Sequence, residues 1–172
     1  RSHFYAMTRL DQNRAVYQLA RKANAPIQDV RKVTIWGNHS STQVPDFSHA
    51  EIRGRPVEDV IRDRHWLEET FVKTIQTRGA EVIAARGKSS AASAAHAILG
   101  SIRSLVTTTL PNDWFSCGVI SDKNPYKIES GLIFSFPCRS TNPKEHEIVP
   151  GLFWDPFLKQ KIAQTERELL EE

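Results

Sequence analysis

Three side chains near the start of the chain have the types and spacing for acid–base chemistry on a carboxylate-bearing molecule. Asp11 and Arg14 stand three residues apart in "LDQNRA", and His39 follows a short apolar run in "TIWGNHSSTQVPDF". A buried Asp that accepts from Nδ1–H of an imidazole fixes the tautomer, raises the imidazole pKa and leaves Nε2 to exchange a proton. An Arg beside the pair could grip a carboxylate through two parallel N–H bonds. The same residues also admit a plainer reading. Asp and Arg at i, i+3 on a helix often form only a solvated pair worth a few tenths of a kcal/mol, and a His in a turn often only caps or faces water. Spacing alone leaves both readings open.

Other chemistries find little support. No G-x-G-x-x-G or Walker pattern offers a phosphate cradle. The six histidines, His3, His39, His49, His65, His96 and His146, show neither H-E-x-x-H nor zinc spacing with cysteine, so no metal site is expected. There is no G-x-S-x-G elbow, and Ser40 and Ser41 directly after His39 are wrongly arranged for a serine nucleophile. Ser89 and Ser90 read as an N-cap pair opening a helix. Trp36, Trp66, Trp114 and Trp154 read as core or interface anchors.

The elements that must position the triple follow from periodicity. Leu10 to Asn24 is helical, with Val16, Leu19, Ala20 and Ala23 on one stripe, Asp11 and Arg14 roughly opposite it, and Pro26 ending the run. Val33 to Trp36 reads as a strand broken by Gly37, which leaves His39 at a strand end. An irregular stretch follows, with a strand around Ala50 to Arg53 and a turn at Gly54. A helix from near Asp63 carries Leu67, Phe71 and Ile75, is interrupted at Gly79 and resumes with Val82 and Ile83. "KSSAASAAHAILGSIRSLVTT" is a long helix whose small residues suit close packing and whose second half places Ile98, Ile102, Leu105 and Val106 on one face. "WFSCGVIS", "GLIFSFPCRS" and "HEIVP" read as an antiparallel meander, and a last amphipathic helix carries Phe157, Leu158, Ile162, Leu169 and Leu170. Long helices on antiparallel strands indicate an α+β domain over residues 1–172.

Composition agrees with one domain. The 172 residues are 40% apolar and 25% charged, enough to bury roughly two-thirds of the unfolded surface. The net charge of +3 is spread along the chain, which argues against nucleic acid but suits a small dianion. Cys117 and Cys138 read as reduced core thiols. No apolar run approaches the ~18 residues of a membrane span, and "RSHFYAMTRLDQ" has no signal-peptide core; it reads as though cut from the middle of something.

At these residues the sequence resembles a known family. "MTRLDQNRA", "TIWGNHSSTQVPDF", "TRGAEVIAARGKSSAASAA", "GVISDKNPY" and "LIFSFPCRS" together resemble the C-terminal, substrate-binding half of NAD(P)-dependent malate dehydrogenases of the cytosolic and chloroplast type. The combination LDxNRA plus GNHSxxQxPD is specific, and the likeness runs the length of the chain. It implies that His39 takes the hydroxyl proton of malate, or returns one to oxaloacetate, that Asp11 orients His39, and that Arg14 binds a substrate carboxylate. Gly79 and Ser90 match positions near the substrate and the nicotinamide. The implied cofactor is NAD, with NADP as the alternative, held by a Rossmann half that these 172 residues do not include. Further implications are a homodimer, no nucleic-acid or membrane partner, a cytoplasmic or organellar location, and no thiol switch of the chloroplast kind at the C-terminus. The alternative function is a catalytically silent fragment that only self-associates through its helices.

Overall fold

The computed structural model describes residues 4–143 and 145–172; Arg1 to His3, and Lys144 of the "TNPK" turn, lie outside the described residues. Helix α1 (Arg9–Lys22) leads through a 3₁₀ turn to β1 (Val30–Arg31), β2 (Thr34–Trp36) and β3 (Val44–Asp46). Strands β4 (Glu51–Ile52) and β5 (Arg55–Pro56) precede the short helix α2 (Val57–Ile61). A π-helical segment, Trp66–Phe71, runs directly into α3 (Val72–Arg86), and α4 (Ala92–Val106) follows. The last part holds β6 (Phe115–Ile120), β7 (Ile133–Asn142), β8 (Glu145–Ile148) and α5 (Pro156–Glu171).

The sheets are antiparallel, in the orders β1-β4-β5, β2-β3 and β6-β7-β8. The expected α+β class and the C-terminal meander are therefore both present. Two apolar clusters form the core. One gathers Leu19, Ile35, Phe47, Phe71 and Ile75 beneath α1, and the other packs Trp36, Phe134, Phe136, Leu158 and Ile162 between the meander and α5. Cys117 and Cys138 are buried and free, and burial pushes the Cys117 thiol up to about 11, so both behave as core packing.

Four local expectations need correction. Gly79 does not interrupt its helix, for α3 passes through it from Val72 to Arg86. A single glycine in a helix costs only about 1 kcal/mol, which the neighbouring apolar contacts offset. The serine pair does not cap α4, whose first residue is Ala92 and which has no side-chain cap bond. The small-residue half of α4 is mostly exposed, and so are Ile98, Ile102 and Val106 on its apolar face; Ala97 alone is fully buried. On α1, Asp11 is not opposite the apolar stripe. It lies with Gln12, Ala15, Leu19 and Ala20 on the buried face, while Arg14 flanks it at the edge.

That buried polar face is fastened to the strands. Gln12 Nε2 donates to the Val33 carbonyl at 3.0 Å, and the Ser116 amide donates to Gln12 Oε1 at 3.0 Å, so one side chain bridges the ends of β2 and β6. The Thr8 and Ser135 hydroxyls are 2.8 Å apart, tying the start of α1 to β7. Beyond Trp36 the chain crosses close to α5 at Gly37, whose φ of +91° is one that glycine adopts readily. A Cβ placed there would stand 2.2 Å from Thr165 Cγ2. We expect Gly37→Ala to lower stability by about 2–4 kcal/mol through overpacking and a strained backbone, measured by urea unfolding; an unchanged midpoint would contradict the close approach.

Candidate active site

The first turn of α1 and the turn after β2 meet at Asp11. Its carboxylate is buried, 1% exposed, and is shared by two side chains: Arg14 Nη1 donates to Oδ1 at 2.9 Å, and His39 Nδ1 stands 2.8 Å from Oδ2. The His39 contact is at ion-pair distance but out of line for a straight N–H···O bond. His39 is otherwise open to solvent, with 59% of its side chain exposed, and Nε2 has no hydrogen-bond partner among the described residues. Arg14 also reaches forward, donating from Nη2 to Ser90 Oγ at 3.2 Å. Asp11 and Arg14 of α1, His39 after β2 and Ser90 before α4 thus form one connected group.

A cleft of about 380 Å³ opens on the Arg14 side of the group, lined by Leu10, Asn13, Tyr17, Arg78 and His96 together with Arg14 and Ser90. Gly79 is not among its lining residues. It sits beside Arg78 on α3 with no atom within 4 Å of where a Cβ would be, so within this chain nothing requires glycine there.

The electrostatics favour a charged imidazole. The close approach of Asp11 raises the His39 pKa above its usual value, burial opposes this, the Asp11 charge adds to it, and Arg14 lowers it again. The folded-state pKa therefore lies above the unfolded value. The stabilisation from the His39–Asp11 contact is fully present below about pH 6.5 and is lost as pH rises through the folded pKa. Because His39 is more than half exposed, water screens this term and it is a small part of total stability. Its main consequence concerns proton exchange at Nε2: the neutral form that accepts a proton becomes abundant only above the raised pKa.

A second Asp–His pair, not foreseen from sequence, lies in "PDFSH". Asp46 is buried at the end of β3 and accepts from Trp36 Nε1 (3.0 Å), Ser48 Oγ (2.7 Å) and the Ser48 amide (2.8 Å), with His49 Nδ1 2.7 Å away. Burial pushes the Asp46 pKa up, but His49 and the other donors outweigh it and hold the carboxyl below its usual range. With each acceptor used by a local donor, this pair fixes the turn after β3. The i, i+3 spacing of Asp46 and His49 was the available signal. Among the described residues no three His, Cys, Asp or Glu side chains converge as a metal site would require.

The domain thus presents a histidine at a strand end against a buried carboxylate and a neighbouring arginine. The family model for the lactate/malate dehydrogenase alpha/beta C-terminal domain matches residues 8–172, and the chain belongs to that family. It is 58% identical over 172 residues to malate dehydrogenase of Protochlamydia amoebophila, covering 100% of this chain and 52% of that protein. It is 53% identical over 170 residues to the chloroplastic NADP malate dehydrogenase of Flaveria bidentis, covering 99% of this chain and 38% of that one. Among solved structures, malate dehydrogenase from Naegleria fowleri matches with a TM-score of 0.89 at 37% identity, covering 98% of this chain and 51% of its own. Trichomonas vaginalis lactate dehydrogenase, solved with NADH and oxamate, matches with a TM-score of 0.91 at 33% identity, covering 98% and 52%. The chain spans about half the length of these relatives, or less.

Proposed function

We propose that this chain is the substrate-binding and proton-transfer half of a malate dehydrogenase, interconverting malate and oxaloacetate with a nicotinamide cofactor. The observation that carries this reading is the 2.8 Å approach of His39 Nδ1 to the buried Asp11 carboxylate, with Arg14 on the carboxylate's other oxygen. In malate oxidation, His39 Nε2 accepts the proton of the substrate hydroxyl. The positive charge that develops on the ring is stabilised by Asp11, which is already in place and needs no reorganisation. In the reverse direction the same imidazolium returns the proton to the oxaloacetate carbonyl oxygen. Arg14, anchored through Nη1, offers its remaining N–H groups to a substrate carboxylate, and Ser90 shares that end of the cleft. Gly79 is assigned to the same site through the family resemblance, and within this chain its neighbour Arg78, not Gly79 itself, lines the cleft.

When bound, the nicotinamide supplies the hydride acceptor. These 172 residues present no dinucleotide cradle, so the cofactor would be held by a nucleotide-binding half, with NAD as our assignment and NADP as the choice that half could make instead. NADH and oxamate in the Trichomonas vaginalis relative, and the NADP-linked name of the Flaveria bidentis one, support a nicotinamide partner and a small carboxylate substrate. The reading places the enzyme in the cytoplasm or, as for the chloroplastic relative, in an organelle. Among the described residues no helix is long and apolar enough to cross a membrane.

The purified 172-residue chain is expected not to oxidise NADH with oxaloacetate, measured by absorbance in steady state. Turnover comparable to an intact enzyme would overturn the division of labour between the halves. A second reading, self-association alone, draws on the exposed Ile98, Leu99, Ile102 and Val106 of α4, a face that a partner subunit of a homodimer could cover.

A further inference from the structure

The turn that carries His39 is held chiefly by the last helix. Asn38 donates its amide to Thr165 Oγ1 at 2.9 Å and its side-chain nitrogen to Glu168 Oε2 at 3.0 Å and Glu172 Oε1 at 2.9 Å. On the other side of His39, Ser40 Oγ and Thr42 Oγ1 each donate to the same Glu168 Oε2 at 2.5 Å, and the Thr42 and Thr165 hydroxyls are 2.9 Å apart. Donors flanking the histidine from both directions therefore converge on one carboxylate oxygen of α5. Gly37 permits this closeness, since any Cβ there would collide with Thr165.

Such a short polar turn at the surface would ordinarily satisfy its groups with water and sample several conformations. His39 cannot prevent this, because its side chain is mostly exposed and its one ion-pair partner among the described residues is Asp11. Three donors to one ionised oxygen make strong, directional bonds. Burial pushes the Glu168 pKa up, but the bonds from Ser40, Thr42 and Asn38 outweigh it and keep it below the usual range, so the carboxylate is charged at neutral pH.

We propose that Glu168, seconded by Thr165, is a positioning residue for His39, clamping residues 38–42 so that the ring stays against Asp11. The proposal builds on the reading of His39 as the proton acceptor, because a shift of about 1 Å in such a group is enough to slow proton transfer severely. It gives the C-terminal helix a part in the site although no residue of α5 lies among those assigned to substrate.

The test is an NMR titration of the histidine rings in the full 172-residue chain, comparing wild type with Glu168→Gln and Thr165→Val. Both variants are expected to bring the His39 midpoint down toward the value of about 6.5 for a free imidazole, while His49 keeps its own midpoint. An unchanged His39 midpoint in both would overturn the proposal. So would a fall in Glu168→Gln alone, which would report only the lost charge, and so would a parallel shift of His49, which would mean a general loosening of the fold. The titration reads the position of His39 without turnover, so failure of the malate assay and failure of the clamp are separately visible.

Discussion

In the full-length enzyme proposed above, His39→Asn is expected to lower kcat for malate oxidation by about 10³-fold or more and to leave nucleotide affinity unchanged. Asparagine is close in size and can still face Asp11, so the turn and its clamp persist. It cannot take up a proton at the position of Nε2, and loss of a general base of this kind removes about 10²–10⁴-fold of rate. The buried Asp11 then has no imidazolium to stabilise, and that contribution disappears with it. On the proposed reading the nucleotide would be held by a separate nucleotide-binding half, which is why its affinity is expected to survive. Steady-state kinetics together with fluorescence titration of the reduced nucleotide check both halves of the statement. Activity retained within a few-fold would remove His39 from the role of base.

Arg14→Lys raises KM for malate and for oxaloacetate, lowering kcat/KM by about 10–100-fold, with the smaller part of the loss in kcat. A planar guanidinium can hold Asp11 with one nitrogen and still present a fork to a substrate carboxylate; an ammonium is a single point. Charge-assisted hydrogen bonds of this type are worth about 1.5–3 kcal/mol, and every 1.4 kcal/mol is about tenfold. In the structure Arg14 already spans Asp11 and Ser90, a reach from the buried carboxylate to the cleft. Lysine can keep one of these contacts and not both, so Asp11 stays partly neutralised and His39 stays near it. Kinetics of the variant that match wild type in both KM and kcat would take Arg14 out of the site.

Much of this site was legible as residue types and little of it as geometry. The Asp–Arg spacing and the histidine after a strand suggested an acid–base group, but the apolar stripe placed Asp11 on the wet side of α1. The structure buries it, because Gln12 and Thr8 fasten that face of α1 by hydrogen bonds to the ends of β2, β6 and β7. Periodicity counts hydrophobic residues and cannot see such bonds. Gly79 looked like a helix break because a local propensity was read without the packing of Phe71, Val72 and Ile75, which anchors the N-terminal part of the helix. Strand β3 lay hidden in the stretch around Pro45, since a proline in a short run argues against a strand unless the partner leaves its nitrogen free. The Glu168 clamp had no signal at all, as its partners are 126 to 130 residues away in the chain.

The central claim is that the Asp11–His39 pair exchanges the substrate proton, and the pH dependence of kcat/KM in both directions tests it most directly. Oxidation of malate needs neutral His39 and reduction of oxaloacetate needs the imidazolium, so the two profiles are expected to rise and fall through one shared midpoint above about 6.5. That midpoint should coincide with the NMR titration of His39 and move downward in Asp11→Asn. Profiles with no limb at the His39 midpoint, or limbs that stay in place when Asp11 is replaced, would contradict the account.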